Sequence, residues 1–451
     1  MCTTKIHMVF DVDEPRFELS KKQGDKIVTQ YNTADIFDKY VKELYDDRKL
    51  SDETQKTLFH SVYQQLKAGV NEGFGQVTAK VEYGTPNFEM LKNLQHNAGV
   101  FSMFKNHSMV KEVAGLLKDG DGNLKARQQF ITDAKKIDDQ YRDQYLKVEY
   151  DTAVRASRMA AQWGRIQATK HLYPCLEYME STSSHPREDH LDYVGITRPV
   201  DDSFWDTYYP PNGWRCQCSV SQTDQVATDI PDGLPDVPED FRFNSGKLGQ
   251  VYSIENSNYI KSAKPSEIPQ LIKQAKAYVN NDIAKGLEYQ NYYTPKNSGG
   301  SVDVHPLAIN NSDFNEVLNS ARSLANQGKK IQILPDLNDA ELRAQLLPLD
   351  KIRDGKNPDY FINEKWVADL KTLNSNSQTA VHRKLSECRE QCDNIVINVP
   401  KENTIEFQKL CQFIKGKVQY PAYDKFELIW LNYKGKWSFY TRDDILNDKW
   451  K

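Results

Sequence analysis

The stretch Pro358-Asp359-Tyr360-Phe361-Ile362-Asn363-Glu364-Lys365-Trp366-Val367-Ala368-Asp369-Leu370-Lys371 reads as a β-hairpin with charge at its open end. Asp359–Asn363 and Trp366–Leu370 are the two strands, turning at Asn363-Glu364-Lys365. Side chains alternate between faces along a strand, so Asp369 and Lys371 share one face and Leu370 takes the other. Two carboxylates, Asp359 and Asp369, and one ammonium, Lys371, are then expected to converge. Such carboxylates suit Mg²⁺ or Zn²⁺ held against a phosphate, and the amine suits a water or a developing negative charge. Glu316, on a helix upstream, is a candidate third carboxylate.

Outward from the hairpin, residues 301–451 alternate between helix and strand. Phe314–Gln327 is helical, Lys330–Leu334 a strand, Thr379–Cys392 a helix and Asn394–Val399 a strand. Thr404–Ile414 is a helix, and Glu427–Tyr440 a final hairpin turning at Lys434-Gly435-Lys436. The order α–β–ββ–α–β–α–ββ predicts a compact α/β domain. Thr372, Ser377, Arg383 and Lys384 offer polar and basic groups for a nucleic-acid backbone, and His382 is a candidate acid–base residue.

The chain has 451 residues and a net charge of −4 from 59 Lys+Arg and 63 Asp+Glu, which excludes a uniformly basic coat. Its mean hydropathy of −0.72 and the lack of a long apolar run give no membrane span. Met1-Cys2-Thr3-Thr4-Lys5 does not start a signal peptide, and seven cysteines do not make a disulfide scaffold. The first 124 residues read as helices: Ile36, Tyr40 and Leu44 form one stripe, and Ser51 caps a second helix with Leu58, Val62, Leu66 and Val70. That second helix is expected to end at Gly69, Gly73 and Gly75, and a third segment covers Phe88–Lys118. Asp119-Gly120-Asp121-Gly122-Asn123 fails as a calcium loop because Phe130 stands where the last acidic ligand belongs, so a polar turn is expected. Residues 124–169 show the longest uninterrupted helical pattern. Residues 256–300 hold a helix and a linker, and Asn297-Ser298-Gly299-Gly300-Ser301 is the expected domain boundary.

After the helical pattern of 124–169, within an expected domain at 125–255, the texture changes: His171 to Gln222 is rich in aromatics, His, Pro and Asp. Arg187-Glu188-Asp189-His190 is followed by Asp201-Asp202-Ser203-Phe204-Trp205 and by Pro210-Pro211-Asn212-Gly213-Trp214-Arg215-Cys216-Gln217-Cys218. His185, His190, Cys216 and Cys218, with His171 and Cys175 nearby, are the ligand types zinc takes. Cys-x-Cys is tighter than usual zinc spacing, and the histidines lie far upstream. The alternative is a small aromatic core in which reduced cysteines pack, two prolines set a turn, and Arg187 pairs with Asp201 or Asp202. That alternative is the expectation taken, with structural zinc at His190, Cys216 and Cys218 not favoured.

Arg187, His190, Gly195, Asp201-Asp202-x-Phe204-Trp205 and Pro210-Pro211-Asn212-Gly213-Trp214-Arg215-Cys216-x-Cys218 resemble the phage Mu F-like head morphogenesis family. Glu149–Ala153 and Phe243-Asn244-Ser245-Gly246-Lys247 are similar too; Gln217 departs from the Arg common there. The resemblance implies a minor head protein associated with the portal, a virion or host-cytoplasm location, and a structural role for Arg187, His190, Trp205, Pro210, Pro211, Cys216 and Cys218. Pro358-Asp359 with Asp369-x-Lys371 fits the PD-(D/E)xK nuclease pattern. Residues 310–440 also resemble the tRNase domains of contact-dependent inhibition toxins and the nuclease domains that phages attach to Mu F-like proteins. Some of those belong to a metal-independent barnase-like and RelE-like group, in which His382, Lys371 and Arg383 would do the chemistry. The expected whole is a mainly α N-terminal two-thirds with a small α+β centre, followed by a nuclease-like domain at 301–451. Its expected partners are head proteins, RNA or DNA, and an immunity protein. The alternatives are a structural head protein with an inactive C-terminal domain, or a bacterial polymorphic toxin.

Overall fold

The computed structural model describes residues 33–77, 80–81 and 83–450; the N-terminal stretch read for a signal peptide lies outside them. The chain is multidomain, with compact units dividing at Asn280/Asn281.

The first unit is mainly helical. Its long helices are α1 (Thr33–Asp47), α2 (Asp52–Phe74), α3 (Pro86–Gly115) and α4 (Arg127–Asp139), then α5 (Leu146–Thr169). Ser51 caps α2 by accepting from Thr54 N–H. Along α3 every residue from Ala98 to Asn106 is buried, as expected of a helix enclosed by others. The pattern expected to be unbroken from 124 to 169 is interrupted at Gln140–Tyr145 by one π-helical segment, which turns Tyr141 inward.

Gly69 and Gly73 do not end α2, which continues to Phe74 and stops at Gly75, the left-handed C-cap. They let α5 approach instead: a Cβ on Gly73 would stand 2.0 Å from the Val154 carbonyl oxygen. Gly73→Ala gains about 1 kcal/mol of helix propensity, but the backbone clash costs on the order of 1–3 kcal/mol or more. We expect net destabilisation, measured as a lower denaturation midpoint of the full chain; an unchanged or higher midpoint would contradict this account of the α2–α5 contact.

The unit continues with β1 (Cys175–Met179), α6 (Glu188–Leu191), β2 (Thr197–Pro199), α7 (Phe204–Thr207) and β3 (Ser219–Thr223). It then adds α8 (Ser245–Leu248), α9 (Asn258–Lys261) and α10 (Ile268–Lys285), the last running past the division. The strands form an antiparallel sheet ordered β2-β1-β3. Trp163, Tyr178, Tyr193, Phe204, Trp205 and Tyr209 fill the core on it. The Asp119 segment is the expected polar turn, its carboxylate accepting from Asp121 and Asn123 N–H.

The second unit is built on one mixed eight-stranded sheet. In chain order it has β4 (Gln290–Tyr293), β5 (Ser301–Val304), α11 (Phe314–Ala325), β6 (Lys330–Ile333), α12 (Ala340–Leu346), β7 (Tyr360–Ile362) and β8 (Trp366–Thr372). There follow α13 (Gln378–Arg389), β9 (Asn394–Val399), α14 (Phe407–Val418), β10 (Leu428–Tyr433), β11 (Lys436–Thr441) and α15 (Arg442–Leu446). The strands run β11-β10-β9-β8-β7-β6-β5-β4. The β6, β7 and β8 strands form an antiparallel meander, and β9 lies parallel to β8. Val317, Leu318, Ala321 and Leu324 of α11 pack with Ile331, Tyr360, Ala368 and Leu370. Leu385 and Cys388 of α13 and Leu410 and Ile414 of α14 pack with Val367, Ile395 and Ile397. Of the stretch expected as the boundary linker, residues 297–300 lie in the connection between the paired strands β4 and β5, and Ser301 opens β5.

Candidate functional site

The open end of the β7–β8 hairpin borders a cavity of about 230 Å³ lined by Asp313, Glu316, Asp359, Lys371, Thr372, Asn374 and Lys384, among others. Asp359 stands just before β7, its main-chain carbonyl tied to Leu334 N–H at 2.9 Å. Its Oδ2 accepts from Leu370 N–H at 2.6 Å. Asp369 is buried on β8, with Lys371 Nζ 2.5 Å from its Oδ2. That oxygen accepts no aligned hydrogen bond. Burial, and then the charge of Asp369, push the Asp359 carboxyl well above its ordinary range. Burial also raises Asp369, against the pull of Lys371. Burial disfavours the Lys371 charge, but the neighbouring carboxylates outweigh it and its pKa rises.

Two carboxylates and an amine thus meet, as the period-two alternation required. Glu316 reaches the same cavity from the first turn of α11, and Thr372 and Lys384 line it. Three expected residues stand elsewhere. His382 points its Nε2 at the Phe413 carbonyl 2.9 Å away, on the side of α13 packed toward α14. Ser377 caps α13 by accepting from Ala380 N–H. Arg383 is exposed beside Glu387. Asp313 and Asn374 line the cavity but were not expected there; Asp313 stands at the N-cap of α11, yet makes no capping hydrogen bond.

A raised carboxyl pKa has a stability consequence. The folded state favours the protonated form of Asp359, so this contribution is complete below the ordinary value of 3.8 and is lost as pH rises through the raised value. Asp359→Asn keeps an acceptor for Leu370 N–H and removes the buried charge. In metal-free buffer it is expected to raise the denaturation midpoint at about pH 8, with the gain shrinking toward pH 4. A midpoint below wild type at both pH values would contradict this.

The central segment has its own cluster. His190 Nδ1 lies 3.5 Å from Cys216 Sγ and 3.6 Å from Cys218 Sγ, and the two thiols are not bonded to each other. Arg187 donates to the Trp214 carbonyl rather than pairing with Asp201 or Asp202, which pair with Lys170 and Arg198. Its guanidinium lies over Gly213. Trp205 is fully buried and donates to the Pro199 carbonyl. The Pro210–Pro211 bond is cis, and Tyr178 donates to the buried Asn212 Oδ1 at 2.7 Å. Asn244 ties Trp205 to α8, where a Cβ on Gly246 would meet Trp163 at 2.1 Å. His171, Cys175 and His185 are not part of this cluster.

Residues 109–221 match the family model described as Phage Mu protein F like protein. The chain is 34% identical over 71 residues to the putative capsid assembly protein F of Escherichia phage Mu, covering 16% of each chain. It is 33% identical over 82 residues to the Mu-like prophage FluMu F protein of Haemophilus influenzae, covering 18% of this chain and 19% of that one. The chain therefore spans less than a fifth of the length of these curated relatives. No solved structure matches it with significance. Over residues 109–221 this chain is similar to the family described as Phage Mu protein F like protein.

Proposed function

We propose that this protein acts in phage or prophage head morphogenesis and carries a nuclease-type unit at its C-terminal end, of the PD-(D/E)xK kind. The first half rests on the family match at 109–221 and on a relative described as a putative capsid assembly protein. Portal and other head proteins are its proposed partners, and the virion its place.

The second half rests on one observation: Asp359 and Lys371 line a polar cavity, with Asp369 buried against Lys371, in a unit whose elements run α–β–α–ββ–α–β. The acidic groups lining the cavity, Asp313, Glu316 and Asp359, offer only oxygen, which suits a hard divalent cation. Mg²⁺ commonly takes one or two carboxylates and completes its shell with water and substrate phosphate. When bound, such a cation supplies Lewis acidity and an acidified water. Lys371 neutralises negative charge beside Asp369, Glu316 orients water in the cavity, and Thr372 and Lys384 contact the phosphodiester backbone. A metal-free route through His382 draws no support, because that ring is engaged by the Phe413 carbonyl.

RNA, tRNA included, and DNA are the proposed substrates; an immunity protein would be needed if the unit acts as a toxin. The test is incubation of the purified full chain with total RNA and with plasmid DNA, with Mg²⁺ or with EDTA. Cleavage that EDTA abolishes supports the reading. Intact nucleic acid in every arm would favour a head protein whose C-terminal unit is only structural.

A further inference from the structure

Among the described residues, His190, Cys216 and Cys218 are the one group of three or more His, Cys, Asp or Glu side chains whose ligand atoms all lie within 4.8 Å of one another. They are 4%, 5% and 7% exposed. The sequence argued against metal here because Cys-x-Cys is tight and the histidine is remote. Folding removes the second objection: α6 brings His190 against the segment leading into β3. The first loses force, since both sulfurs face the same nitrogen.

The distances discriminate between two explanations. A thiol–imidazole hydrogen bond uses the single lone pair or single proton at Nδ1, so two short N···S contacts require it to be shared in a weaker three-centre arrangement. Here there are two, at 3.5 and 3.6 Å. Zn–S bonds of about 2.3 Å and Zn–N bonds of about 2.0–2.1 Å meeting at the tetrahedral angle place nitrogen and sulfur about 3.6 Å apart. We infer that His190 Nδ1, Cys216 Sγ and Cys218 Sγ bind one zinc ion, with both cysteines as thiolates. Two thiolates and an imidazole are the donors zinc selects, whereas Mg²⁺ and Ca²⁺ want oxygen. A fourth position remains for solvent, and the Tyr178 and Ser181 hydroxyls stand beside Cys218.

The role that follows is a crosslink. Beyond Met159, Trp163 and Ile166 of α5, the core of this segment rests on a three-stranded sheet and helices of four residues, short elements of the kind often completed by metal. Zinc at this point ties α6 to the chain entering β3.

The full chain, expressed with zinc in the medium and purified under reducing conditions, should contain one zinc per molecule by elemental analysis. Replacement by cobalt(II) should give thiolate-to-metal charge-transfer absorption. Cys216→Ser and Cys218→Ser should lose both signals. Cys175→Ser, outside the cluster, and Asp369→Asn, in the other unit, should keep them. Where a cysteine variant does not fold, the wild-type content and cobalt spectrum still decide. A reduced, folded wild-type chain that holds no zinc and gives no thiolate–cobalt band overturns the proposal. So does undiminished zinc in folded Cys216→Ser.

Discussion

On the proposed nuclease reading, Asp369→Asn should lower nucleic-acid cleavage by the full chain by on the order of 10²–10⁴-fold. The substitution is nearly isosteric, and the Leu370 N–H bond goes to Asp359, so the hairpin keeps its geometry. Three things change beside the cavity. The Asp359–Asp369 pair loses one of its charges, so a cation bound there would keep a single carboxylate of the pair. Lys371 loses the neighbour 2.5 Å away that keeps its amine charged. The buried oxygen without an aligned donor becomes a neutral amide oxygen. In the wild type the two carboxyls are shifted upward by burial, so cleavage should rise with pH as they ionise, and the acid limb should lie above the usual carboxylate range. Single-turnover rates across pH, with denaturation midpoints alongside, check both statements. A folded Asp369→Asn protein that cleaves at the wild-type rate would remove this cavity from the reaction.

The positions of Asp359, Asp369 and Lys371 were readable because a hairpin has one strict rule. Alternation fixes which side chains share a face, and a short turn fixes which residues oppose each other. The same rule made the last hairpin visible: the expected turn at Lys434–Lys436 lies between β10 and β11. Helix amphipathicity gave α11, α13 and α14 to within a few residues at each end. What lacked a local rule was lost. The β4 and β5 strands are four residues each and acquire their pairing from partners across the sheet. The three-stranded sheet of the first unit joins residues 175–179 to 219–223, a separation no periodicity reports.

The glycines of α2 teach a related lesson. Read locally, Gly69 and Gly73 are helix breakers; in the fold they are the contact surface for α5, and only Gly75 adopts the left-handed conformation that ends the helix. His382 is the converse case. Its residue type suggested chemistry, yet its place on α13 is decided by packing against α14. Residue type can nominate a site, but the side of an element on which it falls decides whether it takes part.

Lys105→Met should destabilise the helical unit by about 3–5 kcal/mol, although methionine is close in size and more apolar. Lys105 and Glu149 are 1% and 3% exposed, with Lys105 Nζ 2.7 Å from Glu149 Oε2 and 3.0 Å from Oε1. Tyr259 donates to the same carboxylate at 2.7 Å. The rings of Tyr141, Tyr145 and Tyr259 stand 5.3–5.7 Å from the ammonium, two of them on the π-helical segment. Burial lowers the Lys105 pKa, and the Glu149 charge pulls it back. Removing the lysine therefore strands a carboxylate in the interior, and that penalty exceeds the few tenths to about 1 kcal/mol expected from the apolar gain. Removing both charges should not: Lys105→Met with Glu149→Leu is expected to recover most of the loss, since two apolar groups need no partner. Denaturation of the two single variants and the double variant gives the coupling energy directly. If the single and double variants are equally destabilised, the cost lies in packing around the tyrosines. If the double variant recovers, the π-helical turn that aims Tyr141 and Tyr145 at this cation serves to join α3 and α5 around one buried charge pair.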